Sequence, residues 1–69
     1  MEERNRTENL YVASLTCLFK AKKNGDESAY KHHYVEAVTL RMVLTVAFLF
    51  TEEQINTLLN SVREQVLGE

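Results

Sequence analysis

The sequence contains no proline and only two glycines in 69 residues. Because these residues most often end a helix or a strand, their scarcity predicts long uninterrupted elements. One clear turn signal is present, Asn24-Gly25-Asp26, and Gly68 stands where the end of a helix favours a residue with positive φ. The chain should therefore consist of a few long segments joined by short connections.

Cysteine is almost absent as well. The single Cys17 excludes an internal disulfide, and no cysteine–histidine spacing indicates a structural zinc site. A chain this short buries only about 60% of its unfolded surface, which leaves little stability without disulfides, metal or a partner. Apolar residues make up 45% of the sequence, so self-association is the stabiliser that remains. We expect one domain over residues 1–69, without a cofactor.

Long apolar runs and strong charge are also missing. The longest apolar stretch, Met42 to Phe50, is broken by Thr45, whereas a membrane span needs about 20 residues. The N-terminus shows no signal-peptide pattern. A net charge of −2 gives little attraction for nucleic acid or anionic lipid. We expect a soluble, cytoplasmic protein that does not bind membranes.

The strongest positive signal is the hexad from Phe50 to Ile55. Thr51 and Gln54 have the spacing of a capping box, in which each side chain accepts a hydrogen bond from the backbone N–H of the other. Phe50 before the cap and Ile55 after it match a hydrophobic staple, which fixes the angle at which the chain enters the helix. A helix should therefore begin at Glu52.

Helices also suit the other segments better than strands do. Val38, Val43 and Val46 would fit a strand, but strict alternation is absent and no second strand-like segment could pair with this one. We predict an all-α, three-helix domain made of an αα-hairpin and a capped third helix. The predicted helices cover about residues 6–23, 27–49 and 52–67, with Asn5 and Glu8 as a capping box for the first and Asp26 as N-cap of the second.

A spacing of 100° per residue gives the third helix one apolar face and the first two helices more than one. The second helix carries two apolar stripes about 110° apart, and the first carries a ridge of mostly small residues opposite its main face. The main faces are Tyr11, Val12, Leu15, Leu18 and Phe19; Tyr30, Tyr34, Ala37, Leu44 and Phe48; and Ile55, Leu58, Leu59, Val62 and Val66.

A helix that is apolar all round must be buried all round. The three helices of one chain cannot cover the additional apolar faces of both the first and the second helix. The simplest solution is a homodimer, intertwined or face to face, in which each hairpin packs against its symmetry mate. The predicted dimer interface consists of Ala13, Cys17, Ala21, Val35, Val38, Met42, Val46 and Leu49.

Only His32, His33 and Glu36 resemble a catalytic or metal site. Adjacent histidines on a helix point about 100° apart, so both should not easily reach one ion, and we interpret the cluster as a solvated polar patch. Cys17 has no base within a turn and reads as a packing residue. We therefore predict no catalytic, cofactor or metal site, and no enzyme.

Arg41 falls inside the first apolar stripe of the second helix. A buried guanidinium needs a carboxylate, such as Glu64 or one from the dimer mate. In the alternative arrangement, its aliphatic stem lies along the core and its charged head reaches water.

Without a site, a compact helical dimer acts through its surface. We expect a regulatory or adaptor module that binds a larger protein of unknown identity. The alternative is a helical DNA-binding transcriptional regulator. The three predicted helices fit this alternative, but the net charge of −2 does not. The lysines Lys20, Lys22, Lys23 and Lys31 near the turn are explained by the dipole of the first helix.

Overall fold

The structure, a computed structural model, describes residues 2–68. These residues form three α-helices and no strand: α1 spans Glu2–Asn24, α2 spans Glu27–Ala47 and α3 spans Glu52–Leu67. Helix α1 is the central element, because it packs against both α2 and α3. The prediction of an all-α fold with three helices is confirmed.

The turn between α1 and α2 is built as its sequence indicates. Gly25 has a φ of +70°, a conformation that glycine adopts without steric cost. The Asp26 backbone N–H donates to the Ala21 carbonyl at 2.9 Å. The Asp26 side chain accepts from the Ala29 N–H at 3.1 Å, which confirms Asp26 as the N-cap of α2.

The capping box at the start of α3 is present in full. The Gln54 N–H donates to the Thr51 hydroxyl at 3.1 Å, and the Thr51 N–H donates to the Gln54 side-chain oxygen at 2.8 Å. Phe50 and Ile55, the two residues of the predicted staple, are both buried in the core. At the other end Gly68 adopts the predicted positive φ, and its N–H donates to the Glu64 carbonyl.

The start of α1 differs from the prediction. The helix begins at Glu2 instead of Arg6, so Asn5 lies within the helix and the predicted capping box with Glu8 is wrong. The first turn carries Glu2 and Glu3, whose negative charge suits a helix N-terminus. A tertiary contact stabilises the extra turn, because the Arg4 guanidinium lies over the Phe50 ring, 5.0 Å from its centroid.

The end of α2 also differs. The helix stops at Ala47, two residues before the predicted Leu49, and Leu49 adopts a φ of +58°. A leucine in this left-handed region costs about 1–2 kcal/mol, which the rest of the fold must offset. The reversal allows the Phe50 N–H to donate to the Leu44 carbonyl at 3.0 Å and places the Phe50 ring in the core.

The core is drawn mainly from α1. The predicted main faces of α1 and α3 point inward, although Val12, Leu58, Leu59 and Val66 are only partly buried. Helix α2 contributes much less than its composition suggests, because only Ala37 and Leu44 of this helix are buried. The buried apolar residues are Tyr11, Leu15, Leu18, Phe19, Ala21, Ala37, Leu44, Phe50, Ile55 and Val62.

A search of the described helices for a membrane span finds no segment with the length and apolar character to cross a bilayer.

Thr51→Ala should lower the free energy of unfolding by about 0.5–2 kcal/mol, because it leaves the Gln54 N–H without its partner. Denaturant unfolding followed by circular dichroism measures the change. Thr57→Ala is the control, since Thr57 is an exposed threonine inside the same helix that bonds only to the Glu53 carbonyl. Equal effects of the two substitutions would mean that the cap does not stabilise the fold.

Candidate functional site

The most unusual surface of the chain is the outer face of α2. Five large apolar side chains follow one another along this face and onto the residues after it, with exposed fractions between 43% for Val38 and 80% for Leu49. We call this set the outer stripe. The buried residues of α2, Ala37 and Leu44, lie on the opposite side of the helix by helical phase. Its members are Val35, Val38, Met42, Val46 and Leu49.

An open groove of about 740 Å³ runs between α1 and α2 beside the outer stripe. Leu10, Ala13 and Cys17 line it from α1, and Leu10 is itself half exposed. We call it the α1–α2 groove. From α2 it is lined by the apolar Val35 and Leu40 with Thr39, and polar groups of both helices complete it: Ser14, His32 and Glu36.

Seven of the eight residues predicted for a dimer interface are exposed in the single chain. Five of these are the outer stripe, and Ala13 and Cys17 line the groove. Ala21 is the exception, because it is buried within the chain beside the turn that follows α1. Its side chain is already covered, so Ala21 is the one predicted position with little surface left for a second copy.

A polar cluster joins α1 to α2 at the groove. The Ser14 hydroxyl donates to Glu36 Oε1 at 2.8 Å, and His33 Nδ1 lies 3.1 Å from the same oxygen. His32 Nε2 lies 3.9 Å from Glu36 Oε2. Ser14 was not among the predicted site residues, although a serine between core positions of α1 needs a hydrogen-bond partner and this need could have identified it.

The two histidines lie closer together than their positions on the helix suggest. One ligand atom from each of His32, His33 and Glu36 can be chosen so that all three lie within 4.8 Å of one another. The rings meet edge to face with centroids 5.1 Å apart. The side chains thus bring these atoms closer together than the 100° between adjacent helix positions suggests.

Hydrogen bonding determines the electrostatics of this cluster. The bond from Ser14 is the largest cause that lowers the pKa of Glu36 below its ordinary value of 4.5, followed by the bond from His33. The carboxylate is thus held in its charged form at the junction of the two helices.

Arg41 lies on another side of α2, where it lines a small cavity with Tyr11 and Ile55. It is exposed, and within residues 2–68 it forms no salt bridge with Glu64. Burial raises the pKa of Tyr11 above 10.0, and the positive charge of Arg41 partly offsets this. In the single chain Arg41 is therefore not paired with Glu64, and a carboxylate from a dimer mate stays a prediction.

Comparisons with protein-family models, with curated proteins and with solved structures find no match to this chain.

Acidification should destabilise the fold through Glu36. Because the pKa of Glu36 is lower in the folded chain, its carboxylate contributes stability that is fully present above the unfolded pKa and is lost as the pH falls through the folded pKa. Ser14→Ala should raise this pKa towards 4.5, as measured by NMR titration of the Glu36 carboxyl carbon. Thr16→Ala is the control, since the Thr16 hydroxyl bonds only to the Val12 carbonyl. Identical titrations of Ser14→Ala and the unmodified chain would contradict the assignment.

Proposed function

We propose that this chain is a protein–protein interaction module that works as a homodimer and serves a larger protein as a regulator or adaptor. The observation that supports this function is the outer stripe, five large apolar side chains that stay 43–80% exposed in the single chain. Exposed apolar surfaces of this extent in small proteins mark contact sites for other macromolecules. The macromolecule that contacts the outer stripe is a second copy of the chain.

The size of the surface supports self-association. A folded monomer of 8.0 kDa has an accessible surface of about 4450 Å² by the usual scaling with mass. The chain exposes 5027 Å², roughly an eighth more than that scaling gives. A standard interface covers about 800 Å² on each partner, so a dimer would remove this excess.

The shape of the surface supports a two-fold arrangement. The outer stripe and the α1–α2 groove lie side by side and share Val35. In a two-fold dimer, the same patch of each copy contacts the other. The outer stripe of one copy can therefore enter the α1–α2 groove of its mate. The small side chains of Ala13 and Cys17 on the groove wall leave room for that approach. The α1–α2 hairpin of each copy would then pack against the same hairpin of its mate, as predicted from the sequence.

Charge supports the same arrangement. A two-fold axis brings identical side chains together, so an ionic group at its centre would meet a like charge. The outer stripe contains no ionisable residue. The charged residues of the same segment, Glu36 and Arg41, lie on either side of the stripe by helical phase.

The alternative is a helical DNA-binding regulator. One observation favours it, the group of exposed lysines at the α1–α2 turn: Lys20, Lys22, Lys23 and Lys31. A net charge of −2 weighs against it, and α3 offers only Arg63 as a cation on its exposed face. Binding to generic duplex DNA that is tight at low salt and collapses with added salt would favour this alternative over the interaction module.

Val46→Lys should dissociate the dimer. Light scattering coupled to gel filtration should give the unmodified chain about twice its 8.0 kDa mass, and the variant should need at least about tenfold more protein to dimerise. The reason is that an unpaired charge cannot be buried in the middle of an apolar interface. Gln65→Lys is the control, because it adds the same charge to an exposed position of α3. An 8.0 kDa species for the unmodified chain at micromolar concentration would contradict the dimer.

Cys17→Trp should weaken the dimer much more than Cys17→Ala. Cys17 is exposed in the single chain, so the fold itself should tolerate either residue. If the outer stripe of a second copy fills the α1–α2 groove, the indole ring of Cys17→Trp has no space there. The smaller side chain of Cys17→Ala leaves only a minor gap. The same scattering measurement compares them. Equal association of both variants would mean that the groove stays open.

A further inference from the structure

We propose that His32, His33 and Glu36 form a binding site for a divalent transition-metal ion such as Zn²⁺. The observation that carries the inference is the convergence of three ligand atoms within 4.8 Å on one surface of α2. Two imidazoles and one carboxylate form a ligand set that zinc and related ions use in proteins. The three ligands lie outside the outer stripe, although His32 and Glu36 also line the α1–α2 groove. The inference rests on the geometry of the single chain and not on the proposed dimer.

The spacing of the ligands along the helix is favourable. His32 and Glu36 stand one turn apart, and His33 stands three residues before Glu36, so both pairs share a side of the helix. His33 Nδ1 and Glu36 Oε1 are already 3.1 Å apart. Ligands at 2.0–2.1 Å around a tetrahedral ion are separated by about 3.3 Å, so this pair needs almost no movement.

His32 supplies the adjustment that remains. Its Nε2 lies 3.9 Å from Glu36 Oε2, and its side chain is 73% exposed. A ring so free of packing can rotate towards an ion that the other two ligands hold. In the single chain the remaining coordination positions would face solvent and take water.

The carboxylate is held in place from the neighbouring helix. Ser14 is buried on α1, and its hydroxyl donates to Glu36 Oε1 at 2.8 Å. Such outer hydrogen bonds orient metal ligands, and their loss typically reduces metal affinity about 10- to 100-fold. His33, whose side chain is only 26% exposed, is likewise restricted. Two of the three ligands are therefore positioned by the fold before an ion arrives.

Calorimetric titration of the full chain with ZnCl₂ tests the site. We expect one ion per chain, with affinity that falls on acidification because the ligands must lose their protons. His32→Ala and Glu36→Gln should each lower the affinity at least tenfold, and Ser14→Ala should lower it about tenfold through Glu36 alone. Circular dichroism of each variant checks that it is folded. Because the His32 side chain is exposed, His32→Ala is the variant least expected to disturb the fold.

Cys17→Ser is the essential control, because this exposed thiol lines the same groove as His32 and could bind zinc by itself. The affinity should stay within about twofold in Cys17→Ser. It should not fall in the dimer variant Val46→Lys, because an open groove leaves His32 and Glu36 accessible. The inference is overturned if no zinc binds at millimolar concentration, if binding survives His32→Ala and Glu36→Gln, or if Cys17→Ser removes it. An unmodified chain that binds zinc but stays monomeric would count against the proposed function only.

Discussion

The structure depends on one constraint, that α2 has apolar side chains around most of its circumference but only one side covered by its own chain. The covered side is narrow, since Ala37 and Leu44 are the only residues of α2 that are buried. The opposite side carries the outer stripe, with Val46 72% exposed. In water this exposure is unfavourable, and α1 and α3 leave these side chains largely uncovered. Self-association is the proposal that resolves the constraint within the sequence itself.

The same constraint explains the strained end of α2. If the helix ran on to Leu49 as predicted, Phe50 could not return to the core that α1 and α3 share. The chain instead reverses at Leu49, which takes a left-handed φ of +58°. Phe50 then packs in the core and supports Arg4 of the first turn of α1. A single reversal thus connects the end of α2, the start of α3 and the start of α1.

Sequence reasoning succeeded where the deciding interactions are local. Asp26 and Thr51 cap their helices through bonds that span three residues, so their patterns suffice to locate the helix starts. It failed at the start of α1, where the contact of Arg4 with Phe50 supports the extra turn and joins residues far apart in the sequence. For the candidate sites, the outer stripe follows from helical phase alone. The bond from Ser14 to Glu36 does not, because it requires knowing how α1 and α2 face each other.

An isotope-filtered NMR experiment tests directly whether the outer stripe contacts the α1–α2 groove of a second copy. In a mixture of ¹³C-labelled and unlabelled copies, only contacts between different chains give filtered nuclear Overhauser effects. We expect such effects between the methyl groups of Val46 or Met42 in one copy and protons of Ala13 or Cys17 in the other. A spectrum with no effects between chains, or with effects confined to α3, would contradict it.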